Sequence, residues 1–362
     1  MKVDPGRIGR YSRAGWRWLR LLPPRRRRGL RVFYGHDRVP GPGEPVAGGS
    51  AKFQRLASRF PNDPTGFTVL YLGSTWLPRD LGPLLGLARR RSVPVVVNMD
   101  GVAYPGWAGE QTEELNEPYR RALRAATHVL YQSEFSKSSA DEFLGAPPGS
   151  WEILHNAVDV SHFTPAAEPP PNGPVVLLGG DQTQAYRLEL ALRTLARVLE
   201  GEPAARLLVA GRLVSPAEPL LDELRIRDRV ELVGRYAQRD APALIRRAHL
   251  LLHTKVKDPC PSAVIEAMAC GLPVVYPASG GTAELVGDEA GVGVPHPDSW
   301  EHDEPPTPDA LAEAVVKVLA ARPAYAVEAR KRAVERFSLE PWLDRHEELF
   351  SELTLRPRSR PN

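Results

Sequence analysis

Two series of short apolar runs follow one another along the chain, and segments with helical periodicity separate the runs. Val, Leu and Ile fill the runs, whereas segments such as SAKFQRLASRF repeat apolar residues at every third or fourth position. Apolar strands that alternate with amphipathic helices are typical of βαβ units in a parallel sheet, so two such sheets are predicted. The predicted strands are 31–35, 68–73, 93–99, 128–133 and 152–156 in the first series, and 174–179, 205–211, 229–234, 249–254, 273–277 and 291–295 in the second.

The Pro-rich segment TPAAEPPPNG lies between the two series and predicts a linker. Two doubly wound, Rossmann-like α/β domains are therefore expected, and a length of 362 residues fits two ordinary domains. Such sheets face each other across a cleft and bind ligands beyond the carboxyl ends of their strands. The segment SWEHDEPPTPD (299–309) is interpreted as a surface loop. The predicted divisions are a basic segment (1–29), a first domain (30–165), a linker (166–173), a second domain (174–337), an amphipathic helix (338–354) and a disordered tail (355–362).

The composition is that of a soluble globular protein, with 42% apolar and 25% charged residues. Cys260 and Cys270 lack the spacing of a zinc site and are too few for a disulfide scaffold, so the reducing cytoplasm is the expected compartment. No apolar run reaches the roughly 18 residues that cross a bilayer. Arg interrupts the first long stretch throughout, which argues against a secretory signal.

Positive charge is concentrated at the N-terminus. Residues 1–31 hold eleven Lys or Arg and one Asp, although the whole chain carries a net charge of only +3. Between 8 and 22 the pattern is helical, with Arg on one face and apolar side chains, including Trp, on the other. Residues 1–28 are therefore predicted to bind an anionic membrane surface and to hold the protein at the inner face of the membrane. The alternative is a disordered basic tail. No nucleic-acid partner is predicted.

The segment DPCPSAVIEAMACGLPVV (258–275) carries the main chemical signal. Its short helix begins near Pro261, and its apolar composition predicts that the helix is buried. Glu266 lies within it, and a buried carboxylate needs hydrogen-bond donors, which the diol of a sugar can supply. The alternative is that Glu266 pairs with an Arg or reaches solvent at the helix edge. The free N–H groups at the helix start suit a diphosphate, and Asp258 on the preceding loop can reach whatever extends beyond it.

This segment resembles the E-x7-E motif of family 4 retaining glycosyltransferases, which have the GT-B fold. Further segments match that family in the expected order: AGGSAKFQRLA (47–57), VLYQSEFSKSSADEFLG (129–145), EILHNAVDVSHFTP (152–165), LLVAGRL (207–213), RVELVGRY (229–236) and SGGTAELV (279–286). The resemblance covers residues 30–354. It implies an acceptor-binding first domain, a nucleotide-sugar-binding second domain and a terminal helix that crosses back onto the first domain.

The resemblance also implies roles for individual residues. Glu266 would bind the ribose hydroxyls and Asp258 would contact the donor sugar. The N–H groups near Cys260, Ser262 and Ala263 would meet the donor phosphates.

Four further residues are predicted to contact the donor. Gly48 and Gly49 would let the backbone approach it closely, and the alternative is a plain turn before a helix. Arg212 follows a strand end and is interpreted as a phosphate contact or as a solvated loop cation. Tyr236 is interpreted as lying along the nucleotide base.

Two acids depart from the family pattern. The first acid of the motif is Asp258 instead of Glu, which is one methylene shorter and bears on the donor sugar it can reach. Asp100 stands near the end of a first-domain strand where the family often has His. It is predicted to orient the acceptor hydroxyl or to accept its proton. The alternative is an ordinary strand-end Asp beside a turn Gly.

A third departure concerns the leaving group. The family usually places an Arg and a Lys after the first strand of the donor domain, where they neutralise the leaving diphosphate. Gly180 and Tyr186 stand at about these positions. Arg187 is the nearest cation and is predicted to act in their place, with Arg212 or Lys257 as further help.

The predicted function is that of a retaining glycosyltransferase of the hexosyl type. It would move a sugar from a donor such as a UDP- or GDP-sugar to a lipid-linked or growing glycan, in surface polysaccharide, lipopolysaccharide or glycolipid assembly. The chain contains no Asp-x-Asp pair, so neutralisation by cations and a helix dipole is expected, with no metal and no cofactor. Two alternatives remain open: a sugar-nucleotide epimerase, and a non-catalytic relative that only binds nucleotide-sugars.

Overall fold

The computed structural model describes residues 29–41, 44, 48–171 and 173–355 and contains two all-parallel sheets. The first has the order β1-β2-β3-β4-β5, with strands β1 Val32–Phe33, β2 Val69–Gly73, β3 Val95–Met99, β4 His128–Tyr131 and β5 Ser150–Ile153. The second has the order β11-β10-β9-β6-β7-β8, with strands β6 Val175–Leu178, β7 Arg206–Ala210, β8 Val230–Gly234, β9 Leu250–Leu252, β10 Val274–Pro277 and β11 Gly291–Val294. Each predicted strand is therefore present.

Helices connect the strands as the periodicity predicts. In the first half they are α1 Ala51–Arg59, α2 Leu81–Arg91, α3 Pro105–Ala108, α4 Thr112–Arg124 and α5 Glu134–Phe143. In the second half they are α6 Ala185–Gly201, α7 Glu218–Leu224, α8 Ala241–Ile245, α9 Ser262–Ala269, α10 Thr282–Val286, α11 Pro308–Ala320, α12 Arg322–Phe337 and α13 Leu339–Leu355. No described helix combines the length and apolar character that crossing a membrane requires.

Apolar side chains cover both faces of each sheet. In the first sheet Val97 belongs to a buried cluster with Leu84, whereas its neighbour Val96 belongs to a second cluster with Phe53 on the opposite face. Burial on both faces explains why the strands are continuous apolar runs in the sequence. Each fully buried Val or Leu contributes about 1.5 to 3 kcal/mol to stability.

The strand order sets the position of the functional site. Strands of the first sheet follow chain order, whereas the order of the second sheet reverses between β9 and β6. Connections leave in opposite directions at such a reversal, which opens a crevice at the carboxyl ends of the two strands.

The terminal helix α13 crosses back onto the first sheet, as the resemblance implies. Trp342 and Phe350 on this helix share a buried cluster with Tyr34 and Phe53 of the first half. At its other edge, Arg59 pairs with Glu340, 2.5 Å away. The predicted bounds 338–354 differ from the observed ones by one residue at each end.

The loop between β11 and α11 lies at the surface, as the sequence predicts, with Glu301, His302 and Glu304 exposed, but it also makes contacts that the sequence does not indicate. It reaches the first half of the chain, where the Trp300 carbonyl oxygen accepts a hydrogen bond of 2.7 Å from the Gly106 backbone N–H. The Trp300 ring packs against three aromatic rings of the first half: Tyr104, Phe135 and Phe143. A Cβ atom on Gly106 would lie 2.9 Å from the backbone nitrogen of His302, so glycine permits this close approach. The loop therefore joins the two halves at one lip of the cleft.

Replacing Trp300 by alanine is expected to lower the free energy of unfolding by about 2 to 3 kcal/mol, because removal of a partly buried ring would leave a gap among its aromatic partners. Urea unfolding followed by circular dichroism measures the change. Trp107 is the matched control, since it lies on the same lip and is 48% exposed. Equal losses for the two alanine variants would contradict the role given to Trp300.

The basic segment 1–28 and the tail 356–362 lie outside the described residues. The membrane contact and the tail predicted for them stay predictions, as do the domain boundaries.

Candidate active site

A cavity of about 580 Å³ lies between the carboxyl ends of the two sheets. Polar residues that follow consecutive strands line it from the first half: Thr75 after β2, Asp100 after β3, Gln132 after β4 and Asn156 after β5. From the second half it is lined by Gly180 after β6, Arg212 after β7, Tyr236 after β8, and His253 and Lys255 after β9. Because β6 and β9 flank the reversal of strand order, the cavity lies where α/β sheets bind ligands.

Most of the residues predicted for the site line this cavity. They are Gly49, Asp100, Arg187, Arg212, Tyr236, Asp258, Cys260, Ser262, Ala263 and Glu266. Gly48 belongs to the short 3-10 turn Gly48–Ser50 before α1 and is not among the described lining residues.

Glu266 is buried within α9 and bound from both halves of the chain. Its Oε1 atom accepts a hydrogen bond of 2.8 Å from Nη2 of Arg55 and one of 2.6 Å from Nε2 of Gln238. The predicted alternative, pairing with an Arg, is therefore present, and the carboxylate lines the cavity as well. Among the described residues, no hydrogen bond reaches Oε2 of Glu266.

Burial raises the pKa of the Glu266 carboxyl, although Arg55 and Gln238 act in the opposite direction. The charged form of Glu266 thus depends on the donors around it. A ligand hydroxyl that donates to the carboxylate would favour the charged form further.

Asp258 lies in a cluster of cationic and polar side chains. Its Oδ2 atom is 3.4 Å from Nζ of Lys255 and 3.4 Å from Nε2 of His253. Burial alone would raise the pKa of Asp258, but Lys255, His253 and Arg187 hold it well below its ordinary value. Asp258 is therefore ionised near neutral pH and is a poor proton donor, so its expected role is electrostatic or positional.

Arg187 reaches the cavity from the first turn of α6. Its side chain is 5% exposed, Nη1 donates to the Asp181 carbonyl at 2.9 Å, and the buried Nε–H has no hydrogen-bond partner among the described residues. Burial lowers the pKa of Arg187, while Asp258 opposes this effect. A buried guanidinium with an unused donor at the cavity wall suits an anionic ligand.

Gly180 and Tyr186, the two positions near Arg187 where the sequence departs from the family pattern, both have defined roles in the local structure. Gly180 has φ +81°, a left-handed conformation that favours glycine, and it lies at the cavity wall. The Tyr186 hydroxyl accepts a hydrogen bond of 3.1 Å from the Val256 backbone N–H, which supports the loop that carries Asp258.

Lys257, predicted with Arg212 as possible further help to Arg187, is not among the described residues that line the cavity. Its side chain is fully buried 3.3 Å from Asp303, and its Nζ lies 5.4 Å from the centre of the Tyr104 ring. The backbone of Lys257 is left-handed, with φ 49°. Lys255, two residues earlier, lines the cavity instead. Arg212 also lines it and is half exposed, 3.7 Å from Asp181.

Asp100 is held by donors on both of its oxygens. Oδ1 accepts from the Ser74 hydroxyl and the Thr75 backbone N–H, and Oδ2 accepts from Lys52 at 2.6 Å and the Thr75 hydroxyl at 2.7 Å. Burial alone would raise the pKa of Asp100, but Lys52 and the two hydroxyls hold it below its ordinary value. A carboxylate so fully bound is a weak base, and it anchors Lys52 in the cavity wall.

Gly49 is needed for this arrangement. A Cβ atom at Gly49 would lie 2.2 Å from Oγ1 of Thr75 and 2.6 Å from Oδ2 of Asp100. The prediction that backbone approaches closely here therefore has a local cause within the protein, in addition to any approach to a ligand.

The start of α9 faces the cavity through Ser262 and Ala263, which both line it. The preceding Cys260 is part of the contact between the halves, because its carbonyl accepts a 2.8 Å hydrogen bond from Asn156 and its Sγ accepts the Asn156 backbone N–H at 3.3 Å. Burial raises the pKa of the Cys260 thiol to about 12, so the thiol is neutral.

Several residues of the site were not found by sequence reasoning: Lys52, Arg55, Gln132, Asn156, Gln238, His253 and Lys255. For three of these residues the sequence did contain a signal that could have identified them. Gln132, Asn156 and His253 are polar residues at or just beyond the ends of apolar strands, where parallel sheets direct functional side chains. Among the described residues, no group of three or more His, Cys, Asp or Glu side chains is arranged to hold a metal ion.

Comparison with known proteins gives a family match for the second half. Residues 165–336 match the family model described as glycosyl transferases group 1. The phosphatidylinositol N-acetylglucosaminyltransferase subunit of Arabidopsis thaliana is 24% identical over 224 residues, which cover 60% of this chain and 47% of that protein. The chain therefore spans about half the length of this curated relative.

Solved structures show the same fold over most of the chain. Sucrose-phosphate synthase from Thermosynechococcus elongatus has a TM-score of 0.67 and 21% identity, over 83% of this chain and 76% of that one. Anabaena Alr3699/HepE in complex with UDP-glucose has a TM-score of 0.65 and 19% identity, over 83% and 81%. At these identities the likeness shows the fold alone, and the fold is GT-B, as the sequence resemblance implies.

Proposed function

The chain belongs, through residues 165–336, to the group 1 glycosyl transferases, and on this basis we propose that it transfers a sugar from a nucleotide-sugar to an acceptor hydroxyl. One observation carries the proposal. The cavity at the switch point has a buried carboxylate, Glu266, within α9, and two cations, Arg187 and Lys255, beside a second acid, Asp258. A nucleoside diphosphate sugar has hydroxyl donors at the ribose and negative charge at the diphosphate, which this arrangement complements.

The donor would lie along the cavity, and its ribose, base and phosphates would contact different protein groups. The free acceptor Oε2 of Glu266 would take a ribose hydroxyl, and Tyr236 would lie beside the base. The N–H groups of Ser262 and Ala263 at the start of α9 would receive the phosphates. The solved complex of Anabaena Alr3699/HepE with UDP-glucose shares this fold and supports a donor of this class.

The reaction exchanges one bond at the anomeric carbon for another. The bond from that carbon to the diphosphate oxygen breaks, the acceptor oxygen bonds to the carbon on the same face, and the acceptor proton passes to the departing diphosphate. Arg187 and Lys255 would stabilise the charge that develops on the diphosphate, without a metal ion. Retention is inferred from the resemblance to family 4, and the anomeric configuration of the product, read by NMR, tests it.

Asp258 would contact the donor sugar beside the reacting carbon. Its low pKa keeps it charged, so it can accept hydrogen bonds from sugar hydroxyls and balance positive charge that develops on the ring. Asp100 would act through Lys52, by holding that cation where the acceptor enters the cleft.

The acceptor is proposed to be a lipid-linked or growing surface glycan. The name of the Arabidopsis relative includes phosphatidylinositol, and residues 1–28 of this chain carry concentrated positive charge. A peripheral position at the inner face of the membrane would bring the cleft to such an acceptor.

Vesicles that contain anionic lipid are expected to retain the protein in a sedimentation assay, and the retention is expected to fall when salt rises. A variant without residues 1–28 is the control. If that variant sediments with the vesicles as well as the full chain does, the membrane role of the segment is wrong.

Turnover of a radiolabelled donor separates the proposed function from its two rivals. A thermal-shift screen of UDP- and GDP-sugars selects the donor, which is then incubated with and without a glycolipid fraction. A transferase releases UDP or GDP in proportion to labelled product and only when acceptor is present. An epimerase converts the donor sugar without acceptor, and a binding protein changes nothing, so either result would refute the proposal.

A further inference from the structure

The ion pair between Arg55 and Glu266 joins residues that are far apart in the sequence. Arg55 lies on α1 in the first half and Glu266 on α9 in the second, with 2.8 Å between Nη2 and Oε1. Both side chains are largely buried, at 12% and 7% exposure. A charged pair buried this deeply is formed only where the surroundings hold both partners in place.

We propose that Arg55 is a positioning residue of the donor site, which holds the Glu266 carboxylate from the opposite half of the chain so that it can receive the hydroxyls of a nucleoside. This inference rests on the proposed function, because it requires that Glu266 contacts the donor. Arg55 itself touches no ligand in this arrangement. It acts through Glu266.

The geometry around Glu266 supports positioning over competition with the ligand. Glu266 and Gln238 line the cavity, whereas Arg55 is not among the described lining residues. Arg55 and Gln238 both donate to Oε1, so Oε2 keeps its capacity to accept. Two fixed donors on one oxygen restrict rotation of the Glu266 carboxylate. Because the carboxylate is already ordered, binding of the ligand costs less conformational entropy.

Because Arg55 belongs to the first half of the chain and Glu266 to the second, donor binding depends on contact between the two halves. Asn156 donates to the Cys260 carbonyl across the same cleft, and Glu284 accepts from the N–H groups of Glu134 and Phe135 at the start of α5. Like the Arg55–Glu266 pair, these contacts join the two halves of the chain. The nucleoside site is therefore complete only when the halves are in contact, so an open form of the protein would bind the donor more weakly.

Arg55 also governs the charge of Glu266. Burial raises the pKa of Glu266, and Arg55 is the nearest charge that lowers it. The other titratable groups that face this carboxylate are Tyr236 and Cys270, and burial keeps both of them neutral near pH 7 by raising their pKa values. Loss of Arg55 would therefore leave Glu266 without a compensating charge, and its pKa would rise further.

Isothermal titration of UDP or GDP, whichever binds the wild-type protein more tightly, tests the proposal between pH 5 and pH 8.5. Replacing Arg55 by methionine is expected to weaken binding about tenfold or more at pH 6.5 and to shift the pH at which affinity is lost upward by about one to three pH units, since an opposite charge at this distance lowers a carboxyl pKa by that amount. Affinity falls as the pH falls, because protons compete for the carboxylate. The diphosphate also titrates in this range, but this effect is the same for all variants and cancels when the affinity of each variant is divided by that of the wild-type protein.

Three further variants make the outcome decisive. Arg55→Lys retains the charge and is expected to restore the wild-type pH profile, also where the methionine variant folds poorly. Arg59→Met, one turn along α1, removes a cation that pairs with Glu340 and Asp344 instead, and it is expected to bind like wild type. Glu266→Gln is expected to bind weakly at every pH, with or without Arg55.

The results separate the two ideas. If Glu266→Gln weakens binding but Arg55→Met binds with the affinity and pH profile of wild type, Arg55 has no positioning role. Tighter binding by Arg55→Met would show that Arg55 competes with the ligand and would also overturn the inference. If Glu266→Gln binds like wild type, the nucleoside role of Glu266 fails and the inference fails with it.

Discussion

Replacing Arg187 by methionine is expected to lower the rate of sugar transfer by about 10²- to 10³-fold, because the charge on the departing diphosphate would lose a buried cation. Methionine fills much of the same volume with no charge, so the first turn of α6 is expected to keep its packing. The loss should appear mainly in kcat, since charge on the leaving oxygen is greatest in the transition state. Initial rates of labelled product formation at saturating donor measure it.

Arg193 is the matched control for this prediction. It lies on the same helix, is partly exposed, and pairs with Glu189 and Glu223, and it is not among the described residues that line the cavity. Arg193→Met is expected to retain wild-type transfer. A similar kcat for Arg187→Met and wild type would show that the diphosphate is neutralised elsewhere, with Lys255 and the start of α9 as the remaining candidates.

Replacing Asp258 by asparagine is expected to lower transfer by about 10²-fold or more while UDP or GDP binds as tightly as before, or more tightly. Transfer and nucleotide binding are expected to respond differently, because Asp258 is an anion beside the cations that would hold the diphosphate. Its removal leaves Lys255 and Arg187 free to attract the phosphates, yet takes away the charge beside the reacting carbon. Initial rates and isothermal titration on the same preparation measure both effects.

The low pKa of Asp258 adds a pH criterion. Because its folded pKa lies below the ordinary value, the charge is present at neutral pH and is lost only as the pH falls toward that depressed pKa. The ratio of wild-type to Asp258→Asn activity should therefore be constant from pH 6 to pH 8. Asp222→Asn, an exposed acid that pairs with Arg227, serves as the control. An Asp258→Asn variant that loses nucleotide binding in step with transfer would contradict the role given to this acid.

Much of the fold follows from apolar periodicity. The inner β-strands are buried on both faces, so their apolar runs are visible in the sequence, and the linker and α9 are marked by Pro and Gly. The loop around Trp300 lies at the surface as predicted, but its contacts with the first half were not predicted, because its composition is mostly polar. Its aromatic contacts come from one side chain, Trp300, whose ring partners Tyr104, Phe135 and Phe143 lie in the other half of the chain.

The site was only partly predictable for a related reason. Glu266 and Asp258 stand out as acids in an apolar segment, and the family resemblance assigns them roles. Their partners do not stand out, because Arg55 is 211 positions from Glu266 and belongs to an ordinary amphipathic helix. Lys257, which was predicted as one possible further help to Arg187, is buried beside Asp303, whereas Lys255 lines the cavity.

A crystal structure of the full chain with bound UDP or GDP tests the central claim most directly. The claim predicts a ribose hydroxyl within hydrogen-bond distance of Oε2 of Glu266, Arg55 still on Oε1, and the diphosphate between the start of α9 and Arg187. A nucleotide bound in the cleft with Glu266 directed away from the ribose, and held only by Arg55, would contradict it.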